Sequence, residues 1–322
     1  MSAIRDKRMD MTDAIGRFVN DGDTVYLGGF IQQDPFAAVH EVIRQGKKDL
    51  TVSKAAGIIA ADLLIGAGCV KKVITSYIWN PIPRPAHAFI RAVQEGMPRT
   101  IEVQEVSILT LTLAYCAGAL DLPYVPTRTL LGSDMLEKNP SLGDHKVRVS
   151  TSPFTGERVC LVPPLTHDVG IIQVQRADPQ GNAQAWGFRG DTKYGMLSSR
   201  RIIVCAEEIV PHDVIQKDPE RTMIPAFRTD AVVEVPWGAH PLYTMGYYDV
   251  DWQFLAYYEQ RTRTQSDCAQ FLDEWVFGTK SRREYVEKLG DKRMASLRPE
   301  PWQPEPVSYG HFDRHPWVGQ DS

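Results

Sequence analysis

The sequence predicts an α/β fold: an open, mostly parallel sheet with helices on both faces, followed by C-terminal helices. Three observations predict it. Short apolar or β-branched segments alternate with helical segments along the first 130 residues, as successive strand–helix–strand units require. Several of the strands stop at glycine or serine and lead straight into a helix. Beyond residue 251, three amphipathic segments follow one another without an intervening strand.

Met11, Ala14, Ile15 and Phe18 have helical spacing and place a first helix over 11–18. Residues 24–27, Thr-Val-Tyr-Leu, form a buried strand that Gly28-Gly29 stops, because glycine reaches backbone angles that other residues avoid. Asp34 is the expected N-cap of the next helix and Pro35 its first residue, where no N–H is needed. Phe36, Val39, Val42 and Ile43 give that helix its apolar face. A strand over 50–54 is broken at Gly57, a helix over 60–65 ends at Gly66 and Gly68, and a strand covers 70–77. The prolines between Asn80 and Pro85 force an extended segment. A helix over 86–95 closes at Gly96, a strand covers 101–106, and Ser107 caps a strongly apolar helix through Ala119. A strand over 123–131 breaks at Gly132-Ser133, and the polar stretch 137–150 reads as an exposed insertion.

The second half resumes with strands over 159–162 and 169–175. Asp178-Pro-Gln-Gly-Asn182 supplies turn residues for a hairpin into 183–186. A short helix over 193–199 precedes a strand over 202–206 that ends at Glu207-Glu208, and a strand over 231–235 ends at Trp237-Gly-Ala-His-Pro241. Helices are expected over 252–260, 266–277 and 282–289. One domain is expected through residue 297, with 298–322, rich in proline, charge and aromatics, as an extended tail.

A formal charge of -4 opposes a nucleic-acid-binding role, which wants a basic stripe. No run of about 18 apolar residues suggests a membrane span. The charged N-terminus lacks the apolar core of a secretory signal. Five scattered cysteines fit reduced, mostly buried thiols, and a cytoplasmic protein is expected. There is no Gly-x-x-x-x-Gly-Lys-Ser/Thr phosphate loop, no Gly-x-Gly-x-x-Gly, no Gly-x-Ser-x-Gly elbow, no Cys-x-x-Cys and no His-Glu-x-x-His. The eight histidines have no ligand spacing, so no metal is expected.

In a parallel sheet, ligands sit outside the carboxyl ends of the strands. Those ends carry Gly28-Gly29-Phe30, Lys54-Ala55-Ala56-Gly57, Ser76-Tyr77, Glu105 and Gly132-Ser133. Bare backbone at Gly28-Gly29 before a helix suits an anion or a thioester carbonyl, although it is equally a tight connector. Glu105 is either a site carboxylate or a structural one. His40 reads as a core or interface residue, and of Glu207 and Glu208 one should be buried and the other solvated. The Trp237–Pro241 loop faces a substrate or forms a packed aromatic corner; both are open.

Several dispersed stretches, in order, carry a resemblance: Gly-Asp-Thr-Val-Tyr-Leu-Gly-Gly-Phe with Pro-Phe-Ala-Ala-Val, Asp-Leu-Leu-Ile-Gly-Ala-Gly, and Ala-Leu-Asp-Leu-Pro-Tyr-Val-Pro. His-Asp-Val-Gly-Ile-Ile-Gln-Val-Gln-Arg-Ala-Asp-Pro-Gln-Gly-Asn, Cys-Ala-Glu-Glu-Ile-Val and Ala-Val-Val-Glu-Val-Pro-Trp-Gly-Ala-His-Pro continue it. The chain, from about Met11 to Leu297, resembles the A subunits of the family I CoA-transferases of the glutaconate CoA-transferase type. The resemblance implies an open α/β domain that works with a similar B subunit, as a heterotetramer or larger, with the active site between them. It implies that the catalytic glutamate lies on the B subunit, where it becomes a glutamyl-CoA thioester and passes CoA to a short dicarboxylic acid. Coenzyme A is then a substrate, and no cofactor is implied. Within that frame Gly28, Gly29 and Phe30 are expected to offer N–H donors to the oxyanion, and Ser76 and Tyr77 to bind a substrate carboxylate. Some relatives instead hydrolyse a ring carbon–carbon bond of a cyclic CoA thioester, using an A-subunit glutamate in the segment resembling 102–107. Glu105 is the candidate catalytic carboxylate for that chemistry. A non-catalytic acyl-CoA-binding subunit is the third reading.

Overall fold

The computed structural model describes residues 5–80 and 85–299. The chain begins with α1 (Met11–Phe18), β1 (Thr24–Leu27), α2 (Phe36–Arg44), β2 (Leu50–Ser53), β3 (Ala56–Gly57), α3 (Ile59–Gly66), β4 (Val70–Thr75) and β5 (Tyr77–Ile78). It continues through α4 (His87–Gln94), β6 (Glu102–Glu105), α5 (Ile108–Ala119), β7 (Val125–Thr127), α6 (Asp134–Lys138), β8 (Ser141–Leu142), β9 (His145–Lys146) and β10 (Arg148–Thr151). The second half comprises β11 (Arg158–Val162), β12 (His167–Ala177), β13 (Ala183–Gln184), α7 (Thr192–Leu197), β14 (Ser199–Ile209), α8 (His212–Gln216), β15 (Thr222–Ile224) and β16 (Ala231–Glu234). Four helices close it: α9 (Trp252–Arg261), α10 (Gln265–Leu272), α11 (Arg282–Leu289) and α12 (Asp291–Ser296).

Seven parallel strands form the sheet in the order β16-β14-β12-β1-β2-β4-β6. Beyond the end of β1, β12 continues and pairs antiparallel with β13, which pairs with β15. The central strands are apolar on both faces, and each face packs on its own layer. Val25, Leu27, Val52 and Val73 meet α1–α3 and the C-terminal helices, whereas Tyr26, Ile74, Ile172 and Val204 meet α5 and α7. β7, β10 and β11 form a separate antiparallel sheet.

Most expected elements are present, and the departures have local causes. Asp34 does not cap α2: Pro35 occupies the cap position, and the Asp34 carboxylate is drawn to the buried ammonium of Lys54. The strand expected over 123–131 shrinks to β7, because Pro123 and Pro126 cannot donate to a ladder and the chain turns with Leu130 at φ +76°. The stretch 137–150 is largely exposed but not irregular: it holds the end of α6, β8, β9 and most of β10. Glu207 and Glu208 lie inside β14 rather than after it, and the helix expected over 266–277 is α10 continued by a π-helical turn over Asp273–Phe277. α8 and α12, five and six residues long, are too short for a periodic signal. The tail from residue 300 and the proline segment 81–84 lie outside the described residues.

Candidate functional site at the carboxyl edge of the sheet

The register places the expected site residues side by side. Tyr26 pairs with Ser53, Ser53 with Ile74, and Thr75 with Glu105. Gly28, Lys54 and Ser76 each stand one residue past the end of β1, β2 and β4, and Glu105 ends β6. One sheet edge therefore carries them all, in the order glycine turn, Lys54, Ser76-Tyr77, Glu105. Glu105 is three strands from the turn, about 14 Å at the usual strand spacing, beyond the reach of one side chain.

The glycine turn is tightly specified. A Cβ on Gly28 would lie 2.7 Å from Ile172. Gly29 has φ +85°, and a Cβ there would lie 2.4 Å from the Gln32 carbonyl oxygen. The next residues are strained: Ile31 and Gln33 have φ of +63° and +61°, a region that a β-branched residue such as isoleucine avoids. Buried glutamines hold the loop. Gln32 Nε2 donates to the carbonyls of Trp186 and Phe188, and Gln33 Nε2 donates to Gln175 Oε1. The Gly28 N–H donates to the Ile171 carbonyl at 2.7 Å and the Phe30 N–H to that of Gln32 at 3.0 Å. Of the three expected N–H donors, only Gly29's is without an acceptor among the described residues.

Lys54, Asp191 and Phe188 also belong to this edge. Buried Lys54 bridges Asp34 Oδ1 and the Gly28 carbonyl, at 2.5 and 3.1 Å. Asp191, at the start of α7, accepts a 3.1 Å hydrogen bond from the Tyr26 hydroxyl. Burial raises the Asp191 carboxyl, and Lys54 opposes this. Burial, then the nearby Asp191 charge, raises the Tyr77 phenol. Phe188, exposed, stacks obliquely 5.0 Å from Phe30. Ser76 Oγ is a buried hydroxyl with no partner among the described residues. The Glu105 side chain is exposed. Lys54 was visible in the sequence as a lysine at the end of an apolar strand; Asp191 and Phe188 had no sequence signal, since their place depends on how a loop folds back over β1.

The other singled-out residues are structural. Glu207 is buried and accepts bonds from Tyr248, Trp237 N–H, Gln173 and Thr244; Glu208 is partly exposed and takes the Tyr247 hydroxyl. The Trp237–Pro241 loop is a packed corner: Trp237 stacks on Tyr248 at 4.4 Å, and buried His240 bonds Tyr285 and Asp251. His40 is core, against Phe36. It lines an apolar cavity of about 650 Å³ between α1, α2, α11 and the end of β16, which includes none of the edge residues. No cluster of metal-binding side chains occurs among the described residues, nor is any helix long and apolar enough to cross a membrane.

A family model described as Coenzyme A transferase matches residues 8–235. The chain belongs to the coenzyme A transferase family. This CoA-transferase chain is 38% identical to the A subunit of the 3-oxoadipate CoA-transferase of Pseudomonas knackmussii, over 88% of this chain and 98% of the other. It is 35% identical to the A subunit of the glutaconate CoA-transferase of Acidaminococcus fermentans, over 91% and 94%. The crystal structure of the Acidaminococcus fermentans enzyme superposes with a TM-score of 0.87, covering 94% of this chain and 98% of that one. A cholesterol ring-cleaving hydrolase subunit of Mycobacterium tuberculosis is 29% identical, over 86% and 95%.

Proposed function

We propose that this chain is the A subunit of a heteromeric CoA-transferase that moves CoA between an acyl-CoA thioester and a short dicarboxylic acid, with the nucleophilic glutamate on a B subunit. One observation carries the reading: among the described residues, no available carboxylate stands beside the acceptor-free N–H at the glycine turn. Asp34 is locked to Lys54, Asp191 is buried under Tyr26, and Glu105 is three strands away. This arrangement supports attack on a thioester, its oxygen on the Gly29 N–H, by a group outside the described residues. The names of the two more similar relatives, which concern glutaconate and 3-oxoadipate, favour a dicarboxylic acid. We assign its distal carboxylate to Ser76 and Tyr77, which stand between the turn and Glu105. CoA enters as substrate, and no further cofactor is assigned.

α5 supports a partner. Its sequence, Ile-Leu-Thr-Leu-Thr-Leu-Ala-Tyr-Cys-Ala-Gly-Ala, is apolar nearly all round. Leu111, Ala114 and Tyr115 are buried, while Ile108 and Leu109 on its first turn, and Leu120, Leu122 and Tyr124 just past its end, are exposed. A helix apolar on all sides wants cover on all sides.

The hydrolase reading rests on Glu105 and on the ring-cleaving relative. Hydroxylamine or borohydride trapping with acyl-CoA, followed by peptide mapping of both chains, separates the two. Transfer predicts a modified glutamate on the B subunit, still formed in Glu105→Gln, with turnover lowered ~10²-fold for loss of one auxiliary charge. No adduct in the wild type, with water-dependent product and a dead Glu105→Gln, would overturn the transferase reading.

A further inference from the structure

The acceptor-free N–H of Gly29 and the carbonyl of Gly28 belong to the same peptide group. A trans peptide is planar, with its N–H and C=O pointing in opposite directions. Whatever holds the Gly28 oxygen therefore aims the Gly29 N–H. That oxygen accepts from the Lys54 ammonium, which is 2% exposed and paired with the fully buried Asp34. Asp34 Oδ2 in turn accepts from the Ala60 N–H in the first turn of α3 at 3.3 Å. The turn is thus tied through one cation to the neighbouring strand and to a helix.

We infer that Lys54 is a positioning residue for thioester chemistry: it fixes and polarises the Gly28–Gly29 peptide so that the Gly29 N–H serves as a preorganised oxyanion donor. This rests on the transferase reading only in taking a thioester as the substrate. Three physical points support it. A cation on an amide oxygen draws electron density from the nitrogen, making its N–H a stronger donor, the more so in a low dielectric. A buried ion pair is a poor device for stability alone, since desolvation offsets its attraction. The Gly28 N–H and Phe30 N–H are both committed to carbonyls, so the donor that Lys54 aims is the one left for a ligand. Lys54 touches no reacting atom in this scheme and exchanges no proton; the charge that grows on the thioester oxygen meets the amide.

The test uses the complex of this chain with its B subunit. The substrate is whichever of succinyl-, glutaryl- and 3-oxoadipyl-CoA the wild type turns over fastest. Lys54→Met removes the cation and leaves Asp34 unpaired. Lys54→Gln with Asp34→Asn removes both charges while keeping a donor of similar length, so that folding is preserved if the single variant fails. Circular dichroism and assembly with the B subunit verify the folded complexes. The expectation is a kcat lowered ~10²-fold in Lys54→Met and about tenfold in the double variant, the first being the scale for losing one oxyanion donor. KM should stay within about threefold, because the interaction strengthens in the transition state and not on binding. A kcat within about twofold of wild type in a folded variant complex, or a loss confined to KM, overturns the role. Absence of a trapped glutamyl adduct in the wild type would instead overturn the transferase reading. The kcat comparison on the acyl-CoA that the complex turns over would still decide Lys54, because transfer to water and transfer to an acid both build charge on the thioester oxygen.

Discussion

Gly29 shows what one residue contributes. Its φ of +85° lies where side chains are disfavoured, and a Cβ would come within 2.4 to 2.6 Å of backbone atoms of Gln32 and Gln33. Those neighbours are themselves held in the left-handed region or pinned by buried side chains, so they have little freedom to retreat. Gly29→Val should therefore abolish turnover of the assembled complex while leaving the circular dichroism nearly unchanged. Wild-type turnover in that variant would reduce the turn to a simple connector. Gly28 has a different reason to lack a side chain: its backbone angles are ordinary, but Ile172 fills the space a Cβ needs. Sequence reasoning identified both glycines because a glycine pair at a strand end is a local signal. It missed the Asp34–Lys54 pair, since α2 looks complete with Asp34 as its cap, and only the tertiary packing shows the carboxylate meeting a cation 20 residues away.

At the scale of elements, parallel strands and their helices were readable because burial on both faces leaves short apolar runs, as at 169–172 in β12 and 202–206 in β14. The C-terminal part of the polar insertion was not, because β10 is exposed along its length and owes its order to pairing with β11 rather than to a buried face. α5 carries the most information beyond its own fold. Its composition says that both sides are covered, and the described residues cover one of them. Ile108 and Leu109 are 46% and 52% exposed on its first turn. Changing both to glutamate would place two charges where a partner is expected to desolvate them, at a cost of several kcal/mol per ion. The double variant should keep its circular dichroism yet fail to co-purify with the B subunit on size exclusion. An intact complex would remove this end of α5 from the interface.

For the molecule as a whole, the buried histidines contribute to the response to acid. Burial lowers His167 to about 3 and His240 to about 4, the latter against an opposing bond from Asp251, and lowers His40 as well. In the unfolded chain each would titrate near 6.5. Because the folded values are depressed, their contribution is complete above that pH and is lost as pH falls toward the folded values. Asp62, Asp191 and Glu207 act in the opposite sense: burial raises them, so folding gains as pH falls toward the ordinary carboxyl range. A melting curve of the wild type therefore reports a sum, and one histidine must be isolated by difference. His167 suits this. It is 1% exposed at the start of β12, lies against the rings of Tyr26 and Tyr115, and shares a 3.1 Å hydrogen bond with Ser198 Oγ. His167→Asn retains a polar group able to meet Ser198 and removes the titration. At pH 7.5 the variant should be the less stable chain, because it packs less well against the two tyrosines. By pH 5.0 the wild type has given up about 2 kcal/mol that the variant never had to lose, from 1.5 pH units at 1.36 kcal/mol each. The stability gap between wild type and His167→Asn, measured by urea unfolding of the assembled complex at the two pH values, should narrow by that amount or reverse. An unchanged gap would mean that His167 is charged in the folded protein, contrary to its burial between two aromatic rings.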